Sequence, residues 1–240
     1  MAKVKKQKER TIDNWWNQVR RYDFRQAMEK ILFTMIGLWL ALWLNNWNDR
    51  VKKKHDERLM LVQLESAFQH DLQDIAETIV GYQYRVDGCT FLLKHIKNNY
   101  PVTDSLRQAL QALNGYSYLA ANKGAYETLK SRGLDLISND SIRLRIATLY
   151  EVDYAIAERS EEFFHKIYTE QIIPYLFTQM SWQSMGLEPV NWEKDQKSNQ
   201  FRQLVNTSYY NNQFILDKYH GLHTVVSALK KDIEHEIEKQ

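Results

Sequence analysis

An all-α fold is predicted by three features of the sequence: few helix-breaking residues, one apolar run near the N-terminus, and a regular apolar repeat after it. The 240 residues include 8 glycines and 3 prolines, which leaves few turn signals and favours a small number of long helices. The predicted architecture is an N-terminal membrane-anchor helix followed by an antiparallel bundle of long helices with coiled-coil-like packing. The length allows one ordinary domain in addition to the anchor.

The charge balance gives no indication of a nucleic-acid partner. Basic residues number 32 and acidic residues 30, for a formal net charge of +2, so no global attraction to DNA or RNA is expected. The single cysteine, Cys89, excludes an internal disulfide framework and a multi-cysteine metal site. One cysteine does not discriminate between cytoplasm and periplasm.

A transmembrane signal anchor is predicted over residues 31–47. The uncharged run ILFTMIGLWLALWL has fourteen residues, whereas a straight span needs about 17 to 20. Tryptophans near its C-terminal end and basic residues on both flanks extend the effective span, because aromatic and snorkelling side chains lie at the interface. The alternative is a buried helix of a soluble domain. The residues predicted to form the anchor are Leu38, Trp39, Trp43, Asn46 and Trp47.

The basic segment at residues 1–30 indicates the orientation. It holds nine lysines and arginines, and long C-terminal domains are translocated largely regardless of charge, so a cytoplasmic N-terminus is favoured. A cleaved signal peptide is disfavoured, because no small-residue cleavage site follows the apolar run. The expected location is the bacterial inner membrane, crossed once. Residues 1–30 would be cytoplasmic and partly interfacial, and residues 48–240 would form a helical periplasmic domain.

The clearest repeat follows the apolar run and predicts a long helix with one apolar seam. Steps of four and three residues place large apolar side chains on one face, with Glu65 and Cys89 as exceptions. This rod is about 54 Å long at about 1.5 Å per residue, and it requires a covering helix. The C-terminal repeat from Ile215 to Ile233 is a candidate antiparallel partner, and a second chain is the alternative. The seam comprises Leu61, Phe68, Leu72, Ile75, Ile79, Tyr82, Val86, Leu93 and Ile96.

A third apolar stripe is predicted between residues 142 and 167, with Ser138 as the N-cap of its helix. Asp153 and Ser160 fall inside this stripe. They are interpreted as reaching water at the helix edge, with a polar layer that fixes helix register as the alternative. The stripe comprises Ile142, Ile146, Leu149, Asp153, Ile156, Ser160, Phe163 and Ile167.

Shorter connecting elements are predicted between the rods. Thr103 is expected to start a helix at about residues 103–113, and Gly133 is expected to stop one at about residues 123–132. A loop around residues 185–191 is predicted to separate the third rod from the last.

Two stretches resemble one uncharacterised bacterial protein family. The run IGLWLALWLNNWNDRVKKK, followed by a long helix containing DLQDI, is similar to single-pass membrane proteins common in bacteroidete-type bacteria. The segment GAYETLKSRGLDLISNDSIRLRIATLYEVDY, residues 124–154, is similar to the central signature of the same family, and together the matches cover about residues 30–155. The family is known only as a domain of unknown function. The resemblance therefore implies a signal anchor with a helical periplasmic domain, and it implies no activity.

Three pairs of side chains have spacings that occur in metal sites. They are Glu162 with His165, Asp232 with His235, and His220 with His223. The first two pairs have the i, i+3 spacing of di-iron helical bundles, but such a site needs two further inward-facing glutamates, for which Glu65 is one candidate. Packed or solvated side chains are the favoured interpretation of all three pairs, and no metal site is predicted.

No catalytic residue and no cofactor is predicted. The sequence has no phosphate-binding glycine loop and no serine-nucleophile motif, and Cys89 lies inside the apolar seam. The favoured function is a non-enzymatic, membrane-anchored helical module, with membrane lipid as one partner and either a homo-oligomer or an envelope protein as the other. A periplasmic ligand-binding sensor and an oligomeric channel subunit are the alternatives, followed by a di-iron helical-bundle enzyme.

Overall fold

The predicted all-α class is confirmed in the computed structural model, which describes residues 2–183 and 186–239, with side chains from Arg25 onward. A short 3₁₀ turn, Leu134–Leu136, and two π-helical turns, Leu149–Asp153 and Tyr168–Ile172, join some of the α-helices. The helices and strands are α1 (Ala2–Asn98), α2 (Asp104–Gln111), α3 (Gly124–Arg132), α4 (Asp140–Thr148), α5 (Tyr154–Ile167), α6 (Ile173–Gln179), β1 (Met180–Gln183), β2 (Gly186–Pro189), α7 (Trp192–Lys197) and α8 (Asn199–Glu238).

The chain divides into two units, one ending at His55 and one beginning at Asp56. Helix α1 contributes to both units. In the first unit every side chain that the structure describes is exposed. The hydrophobic core lies in the second unit.

The second unit contains an antiparallel pair formed by residues 56–98 of α1 and by α8. The direction is given by three contacts in which residue numbers rise along α1 and fall along α8. Arg58 Nη1 donates to the Ile237 carbonyl at 2.8 Å, Lys230 Nζ lies 2.9 Å from Glu65 Oε1, and the rings of Tyr82 and Tyr219 stack 5.8 Å apart. The predicted antiparallel pairing therefore occurs within one chain.

The seam residues of α1 lie in the core of the second unit or against it. Six of the nine are at most 5% exposed, and Leu72, Ile79 and Leu93 are partly buried against the same core. The buried face of α1 is wider than the seam and also includes Leu64 and Leu92. Side chains of α8 and of the first π turn both pack against α1, as the stacking of Tyr82 on Tyr219 and of Phe68 on Tyr150 shows. The apolar stripe is therefore that of a globular-protein helix and not of a two-helix coiled coil.

The π-helical turns change which side chains of the third rod are buried. A π turn adds a residue to one helical turn, and this rotates the side chains that follow it. The first three positions of the predicted stripe are buried, but the prediction is wrong at Ile156 and Phe163, which are exposed. The buried residues after the first π turn are Tyr154, Ala157, Glu161, Phe164 and Tyr168.

Two of the predicted helix boundaries are confirmed and one cap is wrong. Thr103 caps α2 with its side chain, and α3 ends before Gly133, whose φ is +101°. The cap of α4 is Asn139 and not Ser138. The N–H and hydroxyl of Ser138 instead donate to the buried Glu57 carboxylate, both at 2.7 Å.

A small hairpin of β1 and β2 occupies the region predicted as a loop. Its strands are antiparallel, with Met180 opposite Pro189. Gly186 begins β2 with a φ of +125°, a conformation that favours glycine. Arg107 of α2 donates two hydrogen bonds to Glu188, at 3.1 and 2.8 Å, and so attaches the hairpin to the bundle. Four-residue strands carry too little alternation to be recognised in the sequence.

Candidate functional site

The predicted anchor residues are exposed along the first unit. Leu38, Trp39, Trp43 and Trp47 are between 49% and 63% exposed, and Asn46 is also exposed. A stretch of 18 residues in α1 has a mean hydropathy of 1.5, and none of this stretch is buried. Helix α1 therefore contains a segment that is long and apolar enough to cross a membrane.

Polar side chains in and next to this segment form hydrogen bonds within the helix. The Thr34 hydroxyl donates to a carbonyl one turn earlier at 2.8 Å. Asn45 Nδ2 donates to Asp49 Oδ2 at 3.2 Å, and Arg50 Nε donates to the Asn46 carbonyl at 3.3 Å. Intrahelical partners of this kind reduce the cost of placing polar groups in or near an apolar phase.

In the second unit, Asp71 of α1 holds one end of the loop between α2 and α3, which comprises residues 112–123 and is called the connecting loop here. Asp71 Oδ1 accepts a hydrogen bond from the Asn122 N–H at 2.8 Å, and Oδ2 accepts one from the Tyr154 hydroxyl at 2.6 Å. Burial raises the pKa of Asp71 even though both hydrogen bonds act in the opposite direction. The Tyr150 hydroxyl donates to the Asn122 carbonyl at 3.2 Å and completes this attachment.

Glu161 of α5 holds the middle of the connecting loop. Its Oε1 atom accepts hydrogen bonds from the Leu119 N–H at 3.1 Å and from the Tyr219 hydroxyl of α8. The side chain is only 7% exposed, and burial raises its pKa to about 8 although the bond from Leu119 acts to lower it. The raised pKa favours the neutral form of Glu161, and the side chain links α5, α8 and the connecting loop.

Further side chains of α1 and of the second π turn attach the remaining part of this loop. Tyr82 donates to the Ser117 carbonyl at 2.5 Å, and Arg85 Nη2 donates to the Ser117 hydroxyl at 3.2 Å. The Gly115 N–H donates to the Tyr168 hydroxyl at 2.9 Å. The loop is thus held by polar contacts from α1, from α5 and from both π turns. These contacts explain how a segment without regular structure is ordered against the bundle.

A cavity of about 340 Å³ opens beside the connecting loop. Tyr116 and Tyr118 line it from the loop, and Glu161, Glu162 and His165 line it from α5. The rings of Tyr116 and His165 lie 4.4 Å apart. The arrangement joins two tyrosine rings to the buried carboxyl group of Glu161, which binds the loop.

The three pairs with metal-site spacing are not brought together into one site. Asp232 is paired with Arg145 on the surface, and His235 is exposed. His220 is also exposed, whereas His223 is half-buried. Among the residues whose side chains the structure describes, no three His, Cys, Asp or Glu side chains are placed to share a metal ion.

A larger, polar cavity of about 580 Å³ lies between α6, α7 and the first turns of α8. Asp195 of α7 lines it and is 2% exposed. Its Oδ1 atom accepts a hydrogen bond from the Tyr175 hydroxyl at 2.7 Å, and its Oδ2 atom has no partner among the described residues. Burial raises the pKa of Asp195, whereas the bond from Tyr175 and the charge of Lys194 act to lower it.

The buried carboxyl groups and both cavities were not predicted from the sequence. Acidic side chains are usually solvated, so Asp71, Glu161 and Asp195 look like ordinary surface residues in a helical pattern. One available signal was the position of Asp71 within the apolar face, three residues after Phe68. Glu161 gave no such signal, because it reaches the buried face only after the π turn changes the register.

Residues 30–173 of the chain match DUF6090, which is described as a family of unknown function. The matched region begins six residues before the first resembling stretch and extends beyond the second one to the first residue of α6. No curated protein and no solved structure matches the chain.

Proposed function

Since the chain belongs to DUF6090, a family of unknown function, its role is inferred from its own chemistry, and we propose a membrane-anchored helical module without enzymatic activity. The observation that carries this proposal is the exposed apolar segment of α1. Large apolar side chains from Ile31 to Trp47 are between 45% and 75% exposed, which is far more contiguous apolar surface than a soluble monomer displays. Lipid is the environment that would cover this segment.

The composition of the segment supports insertion over burial in a core. A core helix that passes the same hydropathy test is mostly buried, whereas this stretch is not buried at all. Trp39, Trp43 and Trp47 recur at intervals of four residues, which is suited to the interface between lipid and water. Seventeen helical residues span about 26 Å, and the flanking basic side chains can extend this toward the hydrocarbon thickness of about 30 Å.

The proposed topology places residues 1–30 in the cytoplasm of a bacterium and the second unit in the periplasm. The basic residues before the segment favour this orientation. The segment then works as an uncleaved signal anchor.

Three of the described buried carboxylates support a structural role of the second unit. Glu57 binds the N–H and hydroxyl of Ser138, and Asp71 and Glu161 bind N–H groups of the connecting loop. All three carboxyl groups bind groups of the chain itself, whereas a catalytic carboxyl group would have to contact a substrate. The unit is therefore proposed to act through its surface.

A groove between α5 and α8 is the surface that we propose for self-assembly. It has a volume of about 320 Å³ and is lined by Ile156 and Val225, which are both exposed, and by the small residue Gly221. Asp217 and Lys218 lie on the same groove, so a second copy can meet each charge with its opposite in a two-fold arrangement. The α1 seam is already covered within the chain and is not free for this purpose.

The anchor is tested by the double variant Leu38→Arg with Leu42→Arg. Each arginine near the centre of a membrane helix disfavours insertion by about 2.5–3.5 kcal/mol. The native chain should fractionate with membranes and resist carbonate extraction, and the variant should lose this property. The matched control is Val80→Arg with Val190→Arg, which changes exposed apolar residues of the second unit and should leave membrane association intact.

The orientation is tested by fusing reporters that are active in only one compartment to each end. A periplasmic reporter at the C-terminus should be active. Cytoplasmic activity of the C-terminal fusion would reverse the topology, and a native chain that is soluble without detergent would refute the anchor.

Self-assembly is tested by the mass of the detergent-solubilised chain. The native protein should be a dimer, and Ile156→Asp with Val225→Asp should reduce the mass to that of a monomer without changing the melting temperature. A native monomer would refute self-assembly and leave a different envelope protein as the partner.

A further inference from the structure

The polar cavity between α6, α7 and α8 has the size of a small-molecule site. Its volume of about 580 Å³ falls within the range of about 300–1,000 Å³ that is typical of ligand pockets. The walls come from α6, α7, α8 and the second π turn, all in the second unit, so the cavity does not depend on the membrane segment.

The lining of this cavity is rich in neutral hydrogen-bonding groups. Amide and hydroxyl side chains can both donate and accept hydrogen bonds, which matches a ligand that carries several hydroxyl groups. These side chains include Gln171, Thr178, Gln179, Gln200, Gln203 and Thr207.

One buried acceptor in the cavity wall lacks a partner. Asp195 is 2% exposed, and its Oδ2 atom receives no hydrogen bond from any residue that the structure describes. A buried carboxyl oxygen without a donor is costly, and most such atoms in proteins are satisfied by another group. A ligand hydroxyl that donates to Oδ2 would satisfy it, while Oδ1 keeps its bond from Tyr175.

The remaining lining residues favour a neutral ligand with apolar C–H faces. Glu170 and Lys194 carry opposite charges and are both exposed. The buried carboxyl group of Asp195 disfavours an anionic ligand, and the positive charge of Lys194 disfavours a cationic one. Pro174, Tyr175 and Leu204 add apolar surface between the polar groups, which is the combination that a sugar ring requires.

We propose that this cavity binds a small neutral polyhydroxylated molecule of the monosaccharide class, with one ligand hydroxyl donating to Asp195 Oδ2. The glutamines and threonines of α6 and α8 bind the other hydroxyls. Tyr175 positions Asp195 through its hydroxyl and contributes its ring to the apolar part of the wall.

The proposal is tested by calorimetric titration and by saturation-transfer NMR on the full chain in a detergent without a sugar headgroup. The probes are glucose, galactose and N-acetylglucosamine, with choline and inorganic phosphate as charged comparisons. At least one sugar should bind saturably, and choline and phosphate should not. Failure of all three sugars to bind, or saturable binding of choline or phosphate alone, would overturn the proposal.

Two variants test whether binding uses this cavity. Asp195→Asn keeps an oxygen for the Tyr175 hydroxyl but replaces the free acceptor by a donor, and it should weaken sugar binding at least tenfold. Gln200→Ala with Gln203→Ala changes exposed side chains of the wall and should also weaken binding. Gln69→Ala, an exposed glutamine of α1 outside the cavity, is the matched control and should have no effect.

Folding of each variant is checked by its melting temperature. If Asp195→Asn does not fold, the double glutamine variant still decides the location of binding. Unchanged sugar affinity in a folded variant would place the binding elsewhere and overturn the proposal.

Discussion

The protonation of Glu161 makes the stability of the second unit depend on pH in a predictable direction. Burial raises its pKa from the ordinary value of 4.5 to about 8 in the folded chain. Between these two values the unfolded chain loses a proton that the folded chain keeps. The contribution of Glu161 is therefore fully present below about pH 4.5 and is lost as the pH rises through about 8.

The size of this effect follows from the same interval. At about 1.4 kcal/mol per pH unit, the interval from 4.5 to about 8 sets an upper limit of about 5 kcal/mol. Glu161 also lines the cavity beside the connecting loop, where solvent screens its charge. A change of about 2–3 kcal/mol in the free energy of unfolding is the expected magnitude.

The perturbation is Glu161→Gln, because glutamine resembles the protonated acid and keeps an oxygen for the Leu119 N–H and the Tyr219 hydroxyl. Urea unfolding of the detergent-solubilised chain, followed by circular dichroism, gives the free energy of unfolding at pH 5, 6, 7 and 8. The variant should gain about 2–3 kcal/mol relative to the native chain between pH 5 and pH 8. Comparing the two proteins at each pH removes the contributions of the other titrating groups.

Glu162→Gln is the matched control, since Glu162 is exposed on the same helix. It should change the free energy of unfolding by no more than about 0.5 kcal/mol at every pH. A difference between Glu161→Gln and the native chain that stays constant from pH 5 to pH 8 would refute the reasoning. So would a loss of several kcal/mol at pH 5, because it would show that Glu161 is ionised in the folded state.

Five other substitutions have expected effects on unfolding, each measured by urea titration. Ile75→Asp places an unpaired charge at a fully buried position of the seam and should cost several kcal/mol, unfolding the monomer, whereas the exposed Gln73→Ala should change stability by less than about 0.5 kcal/mol. Equal effects of Ile75→Asp and Gln73→Ala on the free energy of unfolding would show that the buried face of α1 is assigned wrongly. Gly88→Ala should cost about 1–3 kcal/mol, because its Cβ would lie 2.2 Å from the Cβ atom of Ala112, the first residue of the connecting loop. A Cβ at Gly221 would meet no atom within 4 Å, so Gly221→Ala should stabilise α8 by about 0.5–1 kcal/mol. A larger loss of stability in Gly221→Ala than in Gly88→Ala would contradict the packing. Glu57→Ala removes the acceptor of two part-buried hydrogen bonds from Ser138 and should cost about 1–3 kcal/mol. An unchanged free energy of unfolding would show that water replaces the carboxylate.

The sequence by itself determined the helical class, the position of the exposed apolar segment and the main rods. These properties are local. The scarcity of glycine and proline, the uncharged run before Asn45, and the repeat from Leu61 to Ile96 can each be recognised within one stretch of chain. The caps at Thr103 and Gly133 are local for the same reason, because a cap depends only on its own turn of helix.

Only the tertiary structure decided which polar groups are buried and where the cavities lie. Glu57 meets Ser138, Asp71 meets Asn122, and Glu161 meets Leu119 across many tens of residues of chain. No local pattern encodes such a meeting, since the free energy of burying a carboxyl group depends on donors supplied by distant segments. The π turn at Leu149–Asp153 likewise rotated the rod that carries Glu161, so a strict α-helical repeat placed the wrong face inside.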